Sequence, residues 1–362
     1  MDILELIRLA KSRNASDLHL SVGAPAMLRV NGELVPASNL TALTAEDMEE
    51  AFNKLTTPEE KNEFHKNMEL DFGYSLENLV RLRCNAALQK STIALAIRLI
   101  PPSIPDIDTL HVPDLCKELI LKPRGMLVVS GPTGSGKSTT LAAMIDYLNT
   151  RESRRVVTVE DPIEYLYNSK RCNITQRETG ADTRSFAEAL RHVLRQDPDV
   201  ILIGEMRDLE TAAAALTIAE TGHLVLTTGH APSTYQAVER IIDLFPPHER
   251  SLAQTRLASL LIGIMCQALV PRRDGKGRIP AVEIMLANPA VRNLIREGKV
   301  YQLPNAIRTH TRLGMQLLDH ALVNLHKSGM ITTENVYSFC NDPEEVEKLI
   351  ANIEDKLVEA AF

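Results

Sequence analysis

The sequence lacks paired cysteines. Its 362 residues include five cysteines, an odd number, and they are scattered without any C-x-x-C pair. This pattern argues against a disulfide framework and against zinc ligation, and it is typical of reduced thiols inside a cell. We therefore expect all five to be packing residues, namely Cys84, Cys116, Cys172, Cys266 and Cys340.

Long hydrophobic runs and excess positive charge are also absent. The longest apolar runs, such as residues 257–265, fall far short of the ~20 residues that span a bilayer. Residues 1–10 carry charges inside a short apolar pattern, unlike a secretion signal. The formal net charge of −7 argues against a surface that coats nucleic acid. We expect a cytoplasmic protein with no direct membrane insertion and no nucleic-acid partner.

The pattern changes after the first hundred residues, which predicts two domains of ordinary size. Residues 1–100 combine helical patterns with short alternating runs, and Asn31-Gly32 is a typical hairpin turn, so we predict an α+β domain. Several prolines near the start of residues 101–109 indicate a stiff linker. Residues 110–350 alternate short apolar runs with helical patterns, which predicts an α/β domain with a parallel sheet.

The C-terminal part of the chain shows less pattern. After about Phe245 we predict helices, with Gly263 inside one of them, and we interpret residues 351–362 as a tail. No tandem repeat or low-complexity tract occurs. This part contains no motif whose chemistry follows from periodicity alone.

Polar residues follow four apolar runs of the second domain. Because ligands bind at the carboxyl ends of the strands in open parallel sheets, we expect these polar residues to converge on one site. The apolar runs are residues 125–130, 156–159, 200–203 and 224–227, and the residues that follow them are a glycine-rich loop, Glu160, Glu205 and His230.

The glycine-rich loop has the sequence of a P-loop between a strand and a helix. Its glycines let backbone N–H groups turn inward around phosphates, Lys137 supplies a charge for the β and γ oxygens, and the Ser138 hydroxyl can ligate Mg²⁺. The sequence therefore predicts a nucleoside triphosphate and Mg²⁺ as ligands. The predicted binding residues are Gly131, Pro132, Thr133, Gly134, Ser135, Gly136, Lys137, Ser138 and Thr139.

Two carboxylates are candidates for the hydrolytic step. The run before Glu205 resembles a Walker B strand, but Gly204 stands where an Asp is usual, so Glu205 must hold the metal itself or share it with Glu160. The alternative is that Glu205 only ends a strand. We favour Glu160 as the base that polarises the attacking water. Asp161 precedes Pro162, so it either initiates a turn or takes part directly.

Histidines bracket the fourth of these strands. His230 follows its carboxyl end, so it can contact a phosphate or sense hydrolysis. His223 lies at the opposite end, where position alone indicates a loop residue.

Two pairs of arginines are also candidates. Arg191 and Arg195 lie four residues apart in a predicted helix with Glu188, either as a solvated, ion-paired face or as contacts to a neighbouring subunit's nucleotide. Arg81 and Arg83 alternate on a predicted strand and share a face, where either a phosphate or a surface glutamate would balance their charge.

These segments together resemble the secretion ATPase superfamily, and in particular the PilT family of type IV pilus retraction motors. The resemblance runs from about Asp2 to Thr333 and includes Ala-Ser-Asp-Leu-His-Leu at 15–20, the P-loop, and Val-Glu-Asp-Pro-Ile-Glu at 159–164. It implies an α/β fold in which a PAS-like N-terminal domain precedes a RecA-like motor domain. It also implies a ring of six subunits with ATP between the domains of neighbours.

The resemblance assigns roles to individual residues. It implies that Glu160 is the general base and Glu205 the Walker B carboxylate, and that His223 and His230 belong to a histidine box. Arg81 and Arg83 fall in the segment that supplies arginines to the bound phosphates. Where the family typically has Gly-Thr-Leu-His-Thr, this chain has Thr-Thr-Gly-His-Ala at 227–231. We expect Gly229 to add backbone freedom there.

A helical segment carries a further resemblance. Residues 290–297 read Ala-Val-Arg-Asn-Leu-Ile-Arg-Glu, which differs from the retraction motif of the family only in Val for Ile. This implies an ATPase that drives pilus retraction on an inner-membrane platform protein, with a retraction paralogue as a possible further partner. Alternatives are an accessory paralogue, a type II secretion ATPase, a non-hydrolysing nucleotide-gated scaffold and a DNA translocase. The retraction motif argues against a type II secretion ATPase. The negative net charge argues against a DNA translocase.

Overall fold

The structure is a computed structural model that describes residues 2–30, 32–37, 41–76, 80–100 and 103–360, with side chains to residue 351. The chain divides into two compact units. One comprises Met1–Ser103 with Glu164–Leu166, and the other comprises Ile104–Ile163 with Tyr167–Phe362. The first residue of the predicted hairpin turn, Asn31, and the first two linker prolines, Pro101 and Pro102, lie outside the described residues.

The first unit is a six-stranded antiparallel sheet with three helices packed on it. The strand order is β3-β2-β1-β6-β5-β4. Side chains of α1, such as Ile3 and Ile7, share one core with Leu82 and Ile97 of the central strands. The elements are α1 (Ile3–Ser12), β1 (Asp17–Leu20), β2 (Met27–Val30), β3 (Glu33–Pro36), α2 (Ala45–Leu55), α3 (Pro58–Asn67), β4 (Glu69–Leu76), β5 (Val80–Gln89) and β6 (Thr92–Ile100).

Helix starts in this unit follow from local sequence. Thr44 and Thr57 are the N-cap residues of α2 and α3, and each forms a capping box with the residue three positions later, Asp47 or Glu60. Such reciprocal bonds satisfy backbone N–H groups that would otherwise lack a partner in the first turn.

The second unit contains a seven-stranded sheet of order β13-β12-β7-β11-β10-β8-β9. Its strands are parallel except β13, which runs antiparallel to β12. The first elements are α4 (Leu115–Ile120), β7 (Gly125–Ser130), α5 (Lys137–Arg151), β8 (Arg155–Glu160), β9 (Asn173–Glu178), α6 (Phe186–Val193), β10 (Val200–Ile203), α7 (Leu209–Glu220) and β11 (Leu224–Thr228). The remaining elements are α8 (Thr234–Asp243), α9 (Arg250–Leu260), β12 (Leu261–Pro271), β13 (Arg278–Leu286), α10 (Pro289–Arg296), α11 (Leu303–Thr309), α12 (Leu318–Lys327), α13 (Thr333–Phe339) and α14 (Pro343–Ala360).

The four predicted strands of this sheet are confirmed. They are β7, β8, β10 and β11, and all lie in the parallel centre of the sheet. Alternate residues of β7 enter different cores, with Met126 and Val128 in one and Leu127 and Val129 in the other. A strand buried on both faces reads as a short continuous apolar run, which is why these strands were recognisable. The predicted class, an α+β unit followed by a parallel α/β unit with C-terminal helices, is confirmed.

The prediction of helix around Gly263 is wrong, because residues 261–271 form strand β12. An apolar run buried on both faces has no strand periodicity, so it cannot be distinguished from a buried helix by pattern alone. A Cβ atom on Gly263 would lie 3.1 Å from the carbonyl oxygen of Met285. The pairing of β12 with β7 shifts register between Leu261 and Gly263. Gly263 therefore belongs to a close strand contact.

The C-terminal helices surround β13 and the outer end of β12. Helix α14 spans Pro343–Ala360 and so includes the position at which the tail was predicted to begin. Among the described residues, no helix has both the length and the apolar character needed to cross a bilayer.

All five cysteines are free thiols. Four are buried and Cys340 is half-buried. Burial raises the pKa of Cys84 and of Cys116 to about 12, so both are protonated and unreactive near neutral pH. These thiols pack in the core.

Candidate functional site

The P-loop connects the end of β7 to the first turn of α5. Its N-cap residue is Gly136, which has no side chain to accept from the backbone N–H groups of the first turn. Gly131 and Gly136 have φ angles of 141° and 87°. A Cβ atom on Gly131 would lie 2.3 Å from the carbonyl oxygen of Gln267. Both the backbone conformation and the close approach therefore require glycine at 131.

Two side chains of the loop are suited to phosphate. Lys137 is only 8% exposed, and its Nζ donates to the carbonyl oxygens of Gly131 at 2.8 Å and Pro132 at 3.0 Å. Ser135 has a buried Oγ atom with no hydrogen-bond partner among the described residues. Because an unsatisfied buried hydroxyl costs free energy, a phosphate oxygen is a fitting partner for it. The loop residues thus fit a bound triphosphate.

A residue that the sequence analysis missed supports the loop from β12. Gln267 is 3% exposed, and its Oε1 accepts a hydrogen bond of 3.0 Å from the Thr140 hydroxyl on α5. Its Nε2 would lie 3.0 Å from a Cβ atom on Gly136. Gln267 therefore contacts both ends of the P-loop. Gln267 was missed because its segment was predicted to be a helix, whereas it lies on strand β12.

Glu160 is the last residue of β8 and is buried. Its Oε1 accepts hydrogen bonds from the Thr158 hydroxyl at 2.6 Å and from Gln176 Nε2 at 3.3 Å. Donors to a carboxylate stabilise its ionised form and fix its orientation. Thr158 lies two residues earlier on the same strand face, so sequence alternation could have identified it. Gln176 lies on β9, a strand that the sequence analysis did not recognise.

Glu205 follows β10 and is bound on both oxygens. Its Oε1 lies 2.9 Å from Nε2 of His230, and its Oε2 accepts a bond of 2.7 Å from Nε of Arg207. The structure therefore brings the predicted residues Glu205 and His230 into direct contact. Arg207 was not predicted, although it lies only two residues from Glu205.

Gly204 occupies the position where an Asp was expected. A Cβ atom there would lie 3.3 Å from Cα of Glu160 and 3.3 Å from the carbonyl oxygen of Val159. The glycine therefore allows the ends of β8 and β10 to approach each other, which brings the two candidate carboxylate segments together.

The loop that carries His230 is fixed against β7. The expected backbone freedom at Gly229 is not what the residue provides, because it does not adopt a positive φ. A Cβ atom on it would lie 3.2 Å from Oγ of Ser130, and that hydroxyl donates a bond of 2.7 Å to the carbonyl oxygen of Ala231. The absence of a side chain at Gly229 thus allows Ser130 to approach and to hold the His230 loop through Ala231.

Ser138 and Glu205 are the two residues predicted to bind Mg²⁺. Within the described part of the chain, no group of three or more His, Cys, Asp or Glu side chains is arranged to hold a metal ion. Magnesium on a triphosphate needs no such group, because phosphate oxygens, water and a P-loop hydroxyl complete its shell. Ser138 fits that role beside Lys137 on the first turn of α5. Glu205 already bonds through both oxygens, so it fits indirect contact through water.

A cavity of about 310 Å³ adjoins Glu205 and His230. Its lining includes Ile241 of α8, Leu244 directly after that helix, and Arg207. The cavity opens on the sheet face that carries Val128, whereas the P-loop helix packs on the face of Leu127 and Val129.

His223 is not at this site. Its backbone oxygen accepts a bond from the N–H of Gly125, at the amino end of β7, whereas the P-loop follows the carboxyl end. Its Nδ1 lies 3.0 Å from the Thr221 hydroxyl and 3.1 Å from the carbonyl oxygen of Ile218. These contacts place it at the end of α7, as its position in the sequence indicated.

The predicted helix contains Glu188 and Arg191 but not Arg195, and Arg191 lies on an exposed, ion-paired face. Helix α6 ends at Val193, so Arg195 lies in the following short 3₁₀ turn. Arg191 pairs with Glu210 of α7, and both side chains are exposed. Arg191 meets Glu210 because α6 packs against α7, and this contact cannot be predicted from helical spacing within α6.

Arg81 and Arg83 lie on β5 of the first unit. They share one face, as predicted, while Leu82 and Cys84 are buried on the other. Arg81 Nη1 donates to the Ser75 hydroxyl at 3.2 Å, and Arg83 lies opposite Arg98 of β6. Arg98 itself pairs with Asp17 at 2.9 Å. Contact of Arg81 and Arg83 with phosphate stays a prediction.

The sequence matches the family model "Type II/IV secretion system protein" over residues 5–359. The chain is 43% identical over 344 residues to the "Type IV pilus retractation ATPase PilT" of Pseudomonas aeruginosa, covering 95% of this chain and 99% of that protein. It is 41% identical to a "Twitching motility protein" of Neisseria gonorrhoeae over 333 residues, 92% of this chain and 88% of that one.

A solved structure agrees with these relatives. The crystal structure of the pilus retraction motor PilT with bound ADP matches with a TM-score of 0.89 and 41% identity, covering 96% of this chain and 99% of that one. The expected resemblance is thereby confirmed, and the chain belongs to the type II/IV secretion system protein family.

Proposed function

We propose that this protein is a cytoplasmic ATPase that powers retraction of a type IV pilus. The observation that carries the proposal is the contact of Glu205 with His230 beside the P-loop, at the carboxyl ends of neighbouring strands. The similarity to relatives named as pilus retraction and twitching motility proteins supports the same function.

Different residues of the site bind the phosphates, bind the metal and activate the water. Lys137 and the N-terminus of α5 bind the β- and γ-phosphates, and Ser138 would hold Mg²⁺, which would neutralise phosphate charge. Glu160, oriented by Thr158 and Gln176, accepts a proton from the attacking water. His230 holds Glu205 by its Oε1 and so orders the carboxylate near the metal.

The histidine has its own test. We expect His230→Ala to lower kcat by about tenfold or more while the Kd for ATP changes little, because the histidine orders a carboxylate that serves turnover. Phosphate release and nucleotide titration measure the two quantities. His248→Ala is the control, because His248 forms a similar pair with Glu249 on the surface. An unchanged kcat in the assembled ring would contradict the role of His230.

The same measurement separates hydrolysis from its main alternative. A non-hydrolysing nucleotide-gated scaffold would bind ATP without phosphate release from the wild-type protein. The contacts of Gly229 and Ser130, which hold the loop of His230, favour the hydrolysing enzyme.

We further propose a hexameric ring that docks on an inner-membrane platform protein, with a retraction paralogue as a possible partner. In this ring Arg81 and Arg83 reach the phosphates of a neighbouring subunit. We expect the double variant Arg81→Ala with Arg83→Ala to form rings yet lose about tenfold or more in kcat, because cations that stabilise transferring phosphate have effects of this size or larger. Lys66→Ala, an exposed lysine of the same unit, is the control. Full activity in the double variant would contradict this arrangement.

The segment at 290–297 divides into a packing part and a surface part. It lies mostly in α10, where Val291 and Ile295 are fully buried. Arg292 donates to the carbonyl oxygens of Ala287, Ser259 and Leu261 at 2.8, 2.6 and 2.8 Å. It therefore satisfies carbonyl groups at the end of α9.

The exposed polar residues of this segment are Asn293, Arg296 and Glu297. They are the candidates for transmitting work to the pilus platform. We expect Asn293→Ala with Arg296→Ala to keep ATPase activity within about twofold, since surface changes rarely unfold a protein, and to abolish fibre retraction in cells. Ile295→Ala is the contrasting control, because loss of a fully buried side chain costs about 2–5 kcal/mol of folding free energy. Parallel loss of ATPase and retraction in the surface variant would show that the segment acts on chemistry.

A further inference from the structure

A buried glutamate lies between the beginnings of two helices. Glu283 of β13 is 2% exposed. Its Oε1 accepts bonds of 2.7 Å from both the backbone N–H and the hydroxyl of Thr234, the first residue of α8. Its Oε2 accepts a bond of 3.2 Å from the N–H of Leu318, the first residue of α12. One carboxylate thus serves two helix N-termini.

Neither helix has a cap of its own. The N-cap residues Ser233 and Leu317 supply no side-chain hydrogen bond to their helices. Glu283 replaces both caps, and a negative charge at a helix N-terminus is favourable. Burial raises the pKa of Glu283, while the bonds from Thr234 and Leu318 oppose that rise. Burial of the charged carboxylate is therefore unfavourable, and the hydrogen bonds from Thr234 and Leu318 offset that cost.

The loop that carries His230 ends at the helix that Glu283 caps. This loop, residues 229–233, connects β11 to α8. It is fixed at two points, because Ser130 donates to the carbonyl oxygen of Ala231 and Glu283 binds Thr234. His230 directly precedes Ala231, the first fixed residue, and its side chain contacts Glu205. A shift of the first turn of α8 would therefore move the backbone that aims His230.

We propose that Glu283 is a positioning residue that holds His230 against Glu205 and links the start of α12 to the nucleotide site. The inference rests on the proposed role of His230 in hydrolysis. Glu283 itself touches no reacting group, and its effect passes through Thr234 and the loop.

The test compares Glu283→Gln with a matched carboxylate. The amide keeps the size of the side chain but has one acceptor oxygen, so it cannot accept from both helix N-termini. We expect kcat to fall by about tenfold while the Kd for ATP changes by less than about twofold, because the loss falls on turnover. The control is Asp47→Asn. Asp47 also serves a helix start, because it accepts a bond of 3.0 Å from the N–H of Thr44, the N-cap residue of α2, but it belongs to the first unit. This variant should leave kcat unchanged.

A double-mutant cycle gives the decisive result. If Glu283 acts through His230, then Glu283→Gln should lower kcat no further in a His230→Ala background. Multiplicative losses, or a wild-type kcat in Glu283→Gln alone, would overturn the inference. A wild-type kcat in His230→Ala alone would instead show that the proposed role of His230 is wrong, and the inference would fall with it.

A milder variant covers the case in which Glu283→Gln does not fold. Thr234→Val removes only the hydroxyl bond to Glu283. It should lower kcat by about threefold, a loss that should also disappear in the His230→Ala background. A threefold loss that persists there would overturn the inference.

Discussion

Lys137→Ala should raise the Kd for ATP by about 100-fold or more, because we propose that the lysine donates charge-assisted hydrogen bonds to the β- and γ-phosphates, and such bonds are about twice as strong as neutral ones. Its Nζ already lies inside the loop, against Gly131 and Pro132, so binding requires no large movement of the side chain. Calorimetry or a fluorescent nucleotide measures the Kd.

The matched control for this variant is Lys170→Ala. Lys170 is an exposed lysine whose ammonium pairs with Asp146 at 2.8 Å, so its removal deletes one positive charge without affecting the P-loop. An ATP Kd for Lys137→Ala within about threefold of wild type would contradict the predicted role, since a difference of that size is under 1 kcal/mol.

Glu160→Gln and Glu205→Gln should keep ATP binding and lose about 10²-fold or more in kcat, because Glu160 is the proposed base, whose proton transfer contributes this much, and Glu205 is the proposed metal carboxylate. Glu160→Gln is the cleaner variant, since its amide oxygen can still accept from Thr158. In Glu205→Gln one oxygen becomes an NH₂ group that faces His230 or Arg207, so its loss of turnover includes disorder of that pair.

Single-turnover phosphate release separates chemistry from product release in these two variants. Glu188→Gln, which alters a half-buried glutamate of α6, is the control for a neutralised carboxylate. If either variant turns over within a few-fold of wild type, the role assigned to that residue is wrong.

Much of the site was predictable because its parts are local. A P-loop needs a strand, a glycine-rich turn and a helix in direct succession, and β7, residues 131–136 and α5 supply them. The strands β8, β10 and β11 are short, apolar and buried, so both their positions and the polar residues at their ends were visible in the sequence.

The supporting residues were not predictable because their partners are distant in sequence. Gln267 meets Thr140 across 127 residues, and Glu283 meets Thr234 across 49. Both lie on β12 or β13, where an apolar run buried on two faces has no distinctive period. The partner of Arg191 was missed for a related reason, since helical spacing favours Glu188 while packing of two helices supplies Glu210.

The close contact between Gly229 and Ser130 couples the residue before His230 to the end of β7. A leucine at 229, which the family resemblance implies at this position, would place its Cβ 3.2 Å from the Ser130 hydroxyl and disturb the bond from that hydroxyl to Ala231. Because residues in contact do not contribute independently, we expect the effect of a substitution at 229 to depend on the residue at 130. A chimera that takes its histidine box from a relative should therefore take the end of β7 from the same relative.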